Sequence, residues 1–439
     1  MTAARRTRSN FALERAIDWA QRLRKPLVVV EPLQREHQHH SQRLEDFVVR
    51  GMRDNFAAFA GAGIRYIALP GLSRAEAGRR WRAAAASACA VVLDDWPCYF
   101  VRDANEAMAR SESVYVELVD SCGLIPLQAT PKAFARAHDF RRWWQREFAS
   151  FWTRQPLANP LAKLELPAVG ALPPKLTGDA PSLPEREGPG GPVAARERLD
   201  AFVSNQLPGY ADRNHPDVEV QSRLSPYLHW GHMGAHEVAW SVLQSAGWDE
   251  GRLGDLHRGQ REGWWGLPAA HEGFMDQLLT WRELGLNFCW HKRDHYSFAS
   301  LPAWAQRTLN EHREDERPYL YTLEAFESAS THDQLWNAAQ RELVQTGHMH
   351  NYLRMLWGKK ILHWSESPRA ALEIMIELNN KYALDGRDPN SYSGIFWVLG
   401  RFDRAWGPER DVFGKIRYMT SESTRRKLRV NEYIERWNE

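Results

Sequence analysis

Three tryptophans, Trp336, Trp357 and Trp364, are the first residues in this chain whose type and spacing could do chemistry. Indole is an easily oxidised ring, so a row of indoles within hopping distance can pass electrons. Trp357 and Trp364 are seven positions apart, which on one helix places them two turns apart on roughly the same face, about 10 Å along the axis. The same spacing also suits an indole stripe that packs a helical bundle. Core packing and electron relay therefore both stand on the spacing alone. The surrounding pattern, from Thr331 to Met419, predicts two helices joined at Gly347: Gln334 to Thr346, then His348 to Trp364.

Other residues suggest binding. Tyr210 is followed by SerArgLeuSerProTyrLeuHisTrpGly at 222 to 231. Hydroxyls and backbone N–H groups ahead of a helix can hold a phosphate, and Ser before Pro is equally an ordinary helix cap. No metal site is expected. His348 and His350 flank Met349 on the opening turn of the second helix, where positions i and i+2 point apart. HisGlnHisHis at 37 to 40 has no acidic or cysteine partner nearby and reads as a solvated loop. Cys89, Cys98, Cys122 and Cys289 include no CxxC pair, and only one falls in the C-terminal half, which excludes a four-cysteine cluster there.

The elements that must position these residues fall into two blocks, as 439 residues permit. From Asn10 to about Pro131, β-branched runs at 27–30, 64–69, 90–93 and 114–119 alternate with helical patterns, so a Rossmann-like parallel sheet of βαβ units is expected. Nine prolines then fall between Pro156 and Pro192, and that composition predicts an extended linker without regular helix or central strand. The expected organisation is an α/β domain at 1–155, a linker at 156–193 and an all-helical domain at 194–439. No run of 18 to 20 apolar residues spans a bilayer and the basic start has no signal-peptide core, so a cytoplasmic protein with no membrane partner is expected.

Four stretches carry a resemblance. TrpAsnAlaAlaGln at 336–340, GlyHisMetHisAsnTyrLeuArgMet at 347–355, LeuAsnAsnLysTyrAlaLeuAspGlyArgAspProAsn at 378–390 and ValPheGlyLysIleArgTyrMet at 412–419 resemble the flavin domain of class II cyclobutane pyrimidine dimer photolyases, members of the photolyase/cryptochrome family. The likeness is dense from about Tyr210 to Tyr433. It implies the photolyase/cryptochrome fold and flavin adenine dinucleotide (FAD) as cofactor. Tyr210, Ser222, Arg223, Leu224 and Ser225 match the family's diphosphate segment; Arg282, Arg354, Asn379, Asp385 and Asp388 match positions near the flavin, with Asn379 facing N5 and Arg354 paired to Asp385. Trp281 matches a tryptophan that packs on the dimer, and Gln277 stands where the family has a glutamate. Histidines used for (6-4) photoproducts are replaced by Asn351 and Met355.

The resemblance also gives the segment from Arg401 to Arg429 a role. Nine Lys or Arg against four Asp or Glu leave five excess positive charges there, on a protein of net charge +2. Such charges hold DNA through its phosphates without reading sequence. Arg404, Trp406, Lys415 and Arg417 are the implied DNA contacts, and Trp397 with Trp406 supplies stacking rings.

The expected function is light-dependent repair of cyclobutane dimers in UV-damaged DNA by a monomeric enzyme. Gln277, Trp281, Asn379 and Trp397 would be its catalytic residues, and Trp357, Trp336 and Trp364 its electron relay. The alternative is a cryptochrome-type blue-light receptor, which Gln277 favours. A second antenna chromophore, deazaflavin or folate, is left open. In the class II pattern a strand precedes the segment that here begins at Thr2, so the chain is expected to begin inside the fold. Residues 247–272 are glycine-rich and longer than in the family.

Overall fold

The computed structural model describes residues 1–111, 114–162, 164–177, 183 and 188–438. The chain divides into two compact units, each discontinuous in sequence. The first comprises residues 1–129, 147–203 and 222–247, and the second comprises 130–146, 204–221 and 248–439.

The first unit carries the expected parallel strands β1 (Val28–Gln34), β2 (Arg65–Leu72), β3 (Ala90–Asp94) and β4 (Tyr115–Val119), but among the described residues they form two two-stranded sheets, β1 with β2 and β3 with β4, rather than the one sheet expected. Helices Gln42–Gly61, Arg74–Ala85 and Tyr99–Ser111 alternate with them. Helices Phe11–Leu23 and Gln42–Gly61 each bury one face: Leu13, Ile17 and Phe59 close over Val29 and Tyr66. Residues 1–8 are packed rather than loose. The Met1 amino group donates to Val30 O on β1, while Thr2 and Ala3 N–H groups donate to Asp94 on β3. Arg5 pairs with Glu31 at 3.0 Å, and Tyr66 and Asn55 also donate to that fully buried carboxylate.

Among its described residues the proline-rich segment departs from expectation at a helical turn, Pro174–Thr177, and at its end, where helix Pro192–Ala201 begins. Proline suits the first helical position because its missing N–H would be unpaired anyway. Leu176 anchors the turn against Ile67, Leu69 and Leu72. The parts of the expected linker at 163, 178–182 and 184–187 lie outside the described residues.

Among the described residues, the second unit is helical apart from two isolated bridges. Helix Gln334–Thr346 starts where Asp333 accepts from the N–H groups of Leu335 and Trp336, and it stops where Gly347 takes φ 75°. A left-handed residue of this kind is a standard helix stop. The next helix runs Asn351–Trp364, three residues later than the sequence pattern predicts. Glu342 is the cause: its carboxylate, buried and held by Tyr433 OH at 2.6 Å, accepts the His350 N–H at 2.9 Å and keeps 348–350 out of the helix. His348 and His350 therefore do not share an opening helical turn.

Helices Pro368–Tyr382 and Pro389–Val398 complete the scaffold. Gly358 allows the helix bearing Trp357 to meet the one bearing Trp397, since a Cβ there would lie 2.6 Å from Val398 Cγ2. Beside it the buried Lys359 ammonium donates to Val398 O, and burial lowers its pKa to about 7. A depressed lysine pKa means the unfolded chain binds the proton more tightly, so this group makes stability rise with pH between about 7 and the ordinary lysine range. Lys359→Met is expected to remove that increment, read as a flatter denaturation midpoint against pH than in the natural protein. No helix among the described residues is long and apolar enough to cross a membrane.

Candidate active site

The floor begins on helix Ala269–Met275, which widens into a π-helical turn at Asp276–Arg282 before continuing as Glu283–His291. Such turns free backbone from the regular ladder and recur at functional sites. Trp144 N–H donates to Thr280 Oγ1 and Arg141 pairs with Asp276 at 2.7 Å, so the turn is held from outside. It presents Gln277 and Trp281, both half-buried. The Gln277 amide makes no hydrogen bond among the described residues, which leaves it available to a ligand.

Trp281 lies face to face with Trp397, their ring centroids 4.4 Å apart and their planes 13° apart. The pairing depends on close approach of two helices at Gly285. A Cβ there would sit 2.9 Å from Pro389 O and 3.0 Å from the Asn390 backbone, atoms that cannot move without the Trp397 helix. Gly285→Ala is expected to cost about 1–3 kcal/mol by overpacking and to part the two indoles. A denaturation midpoint unchanged from the natural protein would refute this account of the contact.

Polar groups gather at the Pro368–Tyr382 helix and the turn after it. Arg354 pairs with Asp385 at 2.9 Å, as the resemblance implies. Asn379 is buried and donates to Asn380 Oδ1, whose oxygen also accepts the Arg387 N–H. Asp388 caps the Trp397 helix by accepting from Asn390 N at 2.7 Å, so at this position the ordinary capping role is filled. Arg282 is buried against Glu283 at 3.2 Å. Tyr210 lies buried edge-on to Phe274 under the Arg213 guanidinium, and burial pushes its pKa up to about 12.

Ser222, Arg223, Leu224 and Ser225 belong to the first unit. Arg198 donates to Ser222 O at 2.7 Å, and Arg223 takes φ 53°. The short helix Ser225–His229 has no side-chain cap, so the capping alternative for these serines is not realised.

The three tryptophans come together in the second unit. The Trp336 indole N–H donates to Trp357 O at 3.0 Å, the Trp357 indole N–H donates to Gln340 Oε1 at 2.9 Å, and the rings of Trp336 and Trp364 lie 6.2 Å apart. Packing and relay are compatible here, since all three are buried and in one cluster. Sequence reasoning missed Gln340, Tyr319, Tyr321 and His332, which adjoin this cluster; the TyrLeuTyr run at 319–321 was the available signal.

Two cations of the basic segment gather at Trp406, whereas Arg401 is buried against Phe288. Trp406 lies between the Arg404 guanidinium at 4.5 Å and that of Arg417 at 5.5 Å, and its N–H groups are held by Lys415 O and Asp403. Arg404, Lys415 and Arg417 are exposed, and Lys415 also meets Glu409 at 3.0 Å.

The chain is similar over its whole length to the deoxyribodipyrimidine photo-lyase of Methanothermobacter thermautotrophicus, at 34% identity, covering 99% of this chain and 93% of that protein. The chain belongs to the photolyase/cryptochrome family. The Arabidopsis thaliana deoxyribodipyrimidine photo-lyase is 32% identical, with 98% of this chain and 86% of the relative covered. No family model matches. Among solved structures, a class III photolyase from Agrobacterium tumefaciens superposes with a TM-score of 0.72 at 16% identity, covering 99% of this chain and 85% of that one. A Synechocystis cryptochrome superposes with a TM-score of 0.66, also at 16% identity, covering 99% and 86%. The chain has the photolyase/cryptochrome fold, an α/β part with parallel strands and a larger helical part.

Proposed function

We propose that the protein repairs cyclobutane pyrimidine dimers in UV-damaged DNA under blue light, as a photolyase of class II type that uses FAD. The observation that carries this reading is the parallel Trp281–Trp397 pair, with Trp281 on the same turn as Gln277, which has no hydrogen-bond partner among the described residues, in a chain similar end to end to photolyases. Bound reduced FAD would supply, on absorbing light, the electron that opens the dimer's cyclobutane ring.

The residues suit such a ligand. An isoalloxazine rim presents carbonyl acceptors and ring N–H donors, and the Arg354–Asp385 pair and the Asn379 amide offer both kinds of partner. Arg354 and Asp385 hold each other in place, so each keeps its remaining hydrogen-bonding atoms aimed without a loss of side-chain freedom on binding. By resemblance, Ser222, Arg223, Leu224 and Ser225 in the first unit match diphosphate-binding positions, and Tyr210, Arg282 and Asp388 in the second match cofactor-binding positions. Trp281 and Trp397 offer flat apolar surface to the dimer, and Gln277 donates its amide to the pyrimidine carbonyls. For function the proposed division is 1–155, linker 156–193 and 194–439, which differs from the two compact units of the fold, and an antenna chromophore would sit with the first of these.

Arg404, Trp406, Lys415 and Arg417 hold the DNA backbone. Removing one cation from a phosphate lowers the slope of log affinity against log salt by about 0.9. Arg404→Ala with Arg417→Ala is therefore expected to flatten the slope by about 2 and to weaken dimer-containing and intact oligonucleotides alike. A weakening confined to one sequence would argue against a backbone role.

The deciding experiment is repair of a dimer-containing oligonucleotide by the purified, reduced protein in blue light. No repair despite bound reduced flavin would overturn the enzyme reading. It would leave the cryptochrome-type receptor, which Gln277 in place of the family's glutamate favours.

A further inference from the structure

Neither end of the tryptophan cluster reaches water. Trp336 is 0% exposed and Trp364 is 1% exposed, so no reductant in solution can touch either indole. What covers Trp364 is a second layer of rings. His332 lies 4.9 Å and Tyr321 5.8 Å from it, centroid to centroid. Tyr319 in turn stacks on His332 at 3.7 Å with planes 21° apart, and its own ring is 47% exposed beside the exposed Leu320.

We propose that the Tyr319–His332 stack is the outlet of the tryptophan relay, where a small thiol-type reductant delivers an electron from solution. The proposal rests on the relay reading of Trp357, Trp364 and Trp336.

Three features of the geometry favour it. The stack is fixed, because His332 Nδ1 lies 2.7 Å from Tyr321 OH and the His332 N–H donates to the same oxygen at 3.0 Å. The Lys360 ammonium sits 5.0 Å from the Trp364 centroid, so positive charge left on that indole is repelled and its passage to a neighbouring ring is favoured. Burial also lowers the His332 pKa below its ordinary value, so at neutral pH the imidazole between Trp364 and Tyr319 adds no opposing charge.

The step balances as follows. Trp364, having lost one electron inward, regains one from Tyr319 across the imidazole. The Tyr319 phenol releases its proton to water and becomes a neutral tyrosyl radical. A thiol then gives one electron and one proton, restoring the phenol and leaving a thiyl radical.

The test illuminates the flavin-loaded protein with 2-mercaptoethanol and a nitroso spin trap, then maps adducts by mass spectrometry. The expected result is an adduct on the peptide holding Tyr319. Tyr319→Phe should abolish that adduct and slow photoreduction at limiting thiol by about fivefold, while Tyr319→Trp restores the rate. Flavin content and melting temperature should stay unchanged, because the ring is half-exposed. Trp357→Phe separates the two readings. If it still photoreduces, the relay falls and the outlet with it. If it does not, while Tyr319→Phe keeps the natural rate and adduct pattern, the outlet alone is overturned.

Discussion

Trp357→Phe is expected to block photoreduction of oxidised flavin while repair by chemically reduced protein continues. Phenylalanine keeps most of the ring volume, so the buried cluster with Trp336 and Trp364 stays packed. It is far harder to oxidise, and a rise of only about 2.7 kcal/mol in the barrier to the first hop is a hundredfold in rate. The substitution also removes the Trp357 donor to Gln340, which is fully buried. Leaving that acceptor short costs about 1–3 kcal/mol, so flavin content and the denaturation midpoint must be measured beside the photoreduction rate. Unchanged photoreduction would remove Trp357 from the relay. Loss of flavin in parallel with loss of photoreduction would return the three tryptophans to a packing role.

Gln277→Glu is expected to raise the yield of dimer splitting per absorbed photon. A carboxylic acid strengthens its hydrogen bond as negative charge develops on the pyrimidine carbonyl, whereas the amide changes little. One hydrogen bond to a charged group is worth about 1.5–3 kcal/mol, enough to shift a competition between splitting and back transfer by roughly tenfold or more. The space for it exists, since Gln277 is half-buried on the turn next to Trp281 and has no partner among the described residues. The measurement is repair yield on one dimer-containing oligonucleotide for both proteins. Repair by neither, with reduced flavin bound, would defeat the photolyase reading; equal and robust repair would show that the amide suffices.

What the sequence disclosed follows from how local each cause is. Helix Gln334–Thr346 was legible to the residue because Asp333 and Gly347 are its own start and stop. The next helix was misplaced at its start because Glu342, from the preceding helix, and Tyr433, near the end of the chain, set the backbone at His350. The strands could be read from β-branched runs, while the turn at Pro174 depended on apolar packing against β2. In the site, resemblance supplied the Arg354–Asp385 pair, which the structure forms. The stacking of Trp281 on Trp397 lay beyond it, because no periodicity links residues so far apart. The π-helical turn was equally invisible, since its apolar spacing matches that of the helices on either side.

That turn also governs which changes of length the chain can tolerate. Asp276–Arg282 has seven residues, and removing one would close the π-turn into the ordinary ladder and re-aim the side chains that the turn now carries. Trp281 would then leave the face it shares with Trp397. Side chains on the turn can change without altering that residue count. Among relatives of this chain, a gap in that segment should mark lineages that gave up the pocket, more reliably than the identity of any one residue within it.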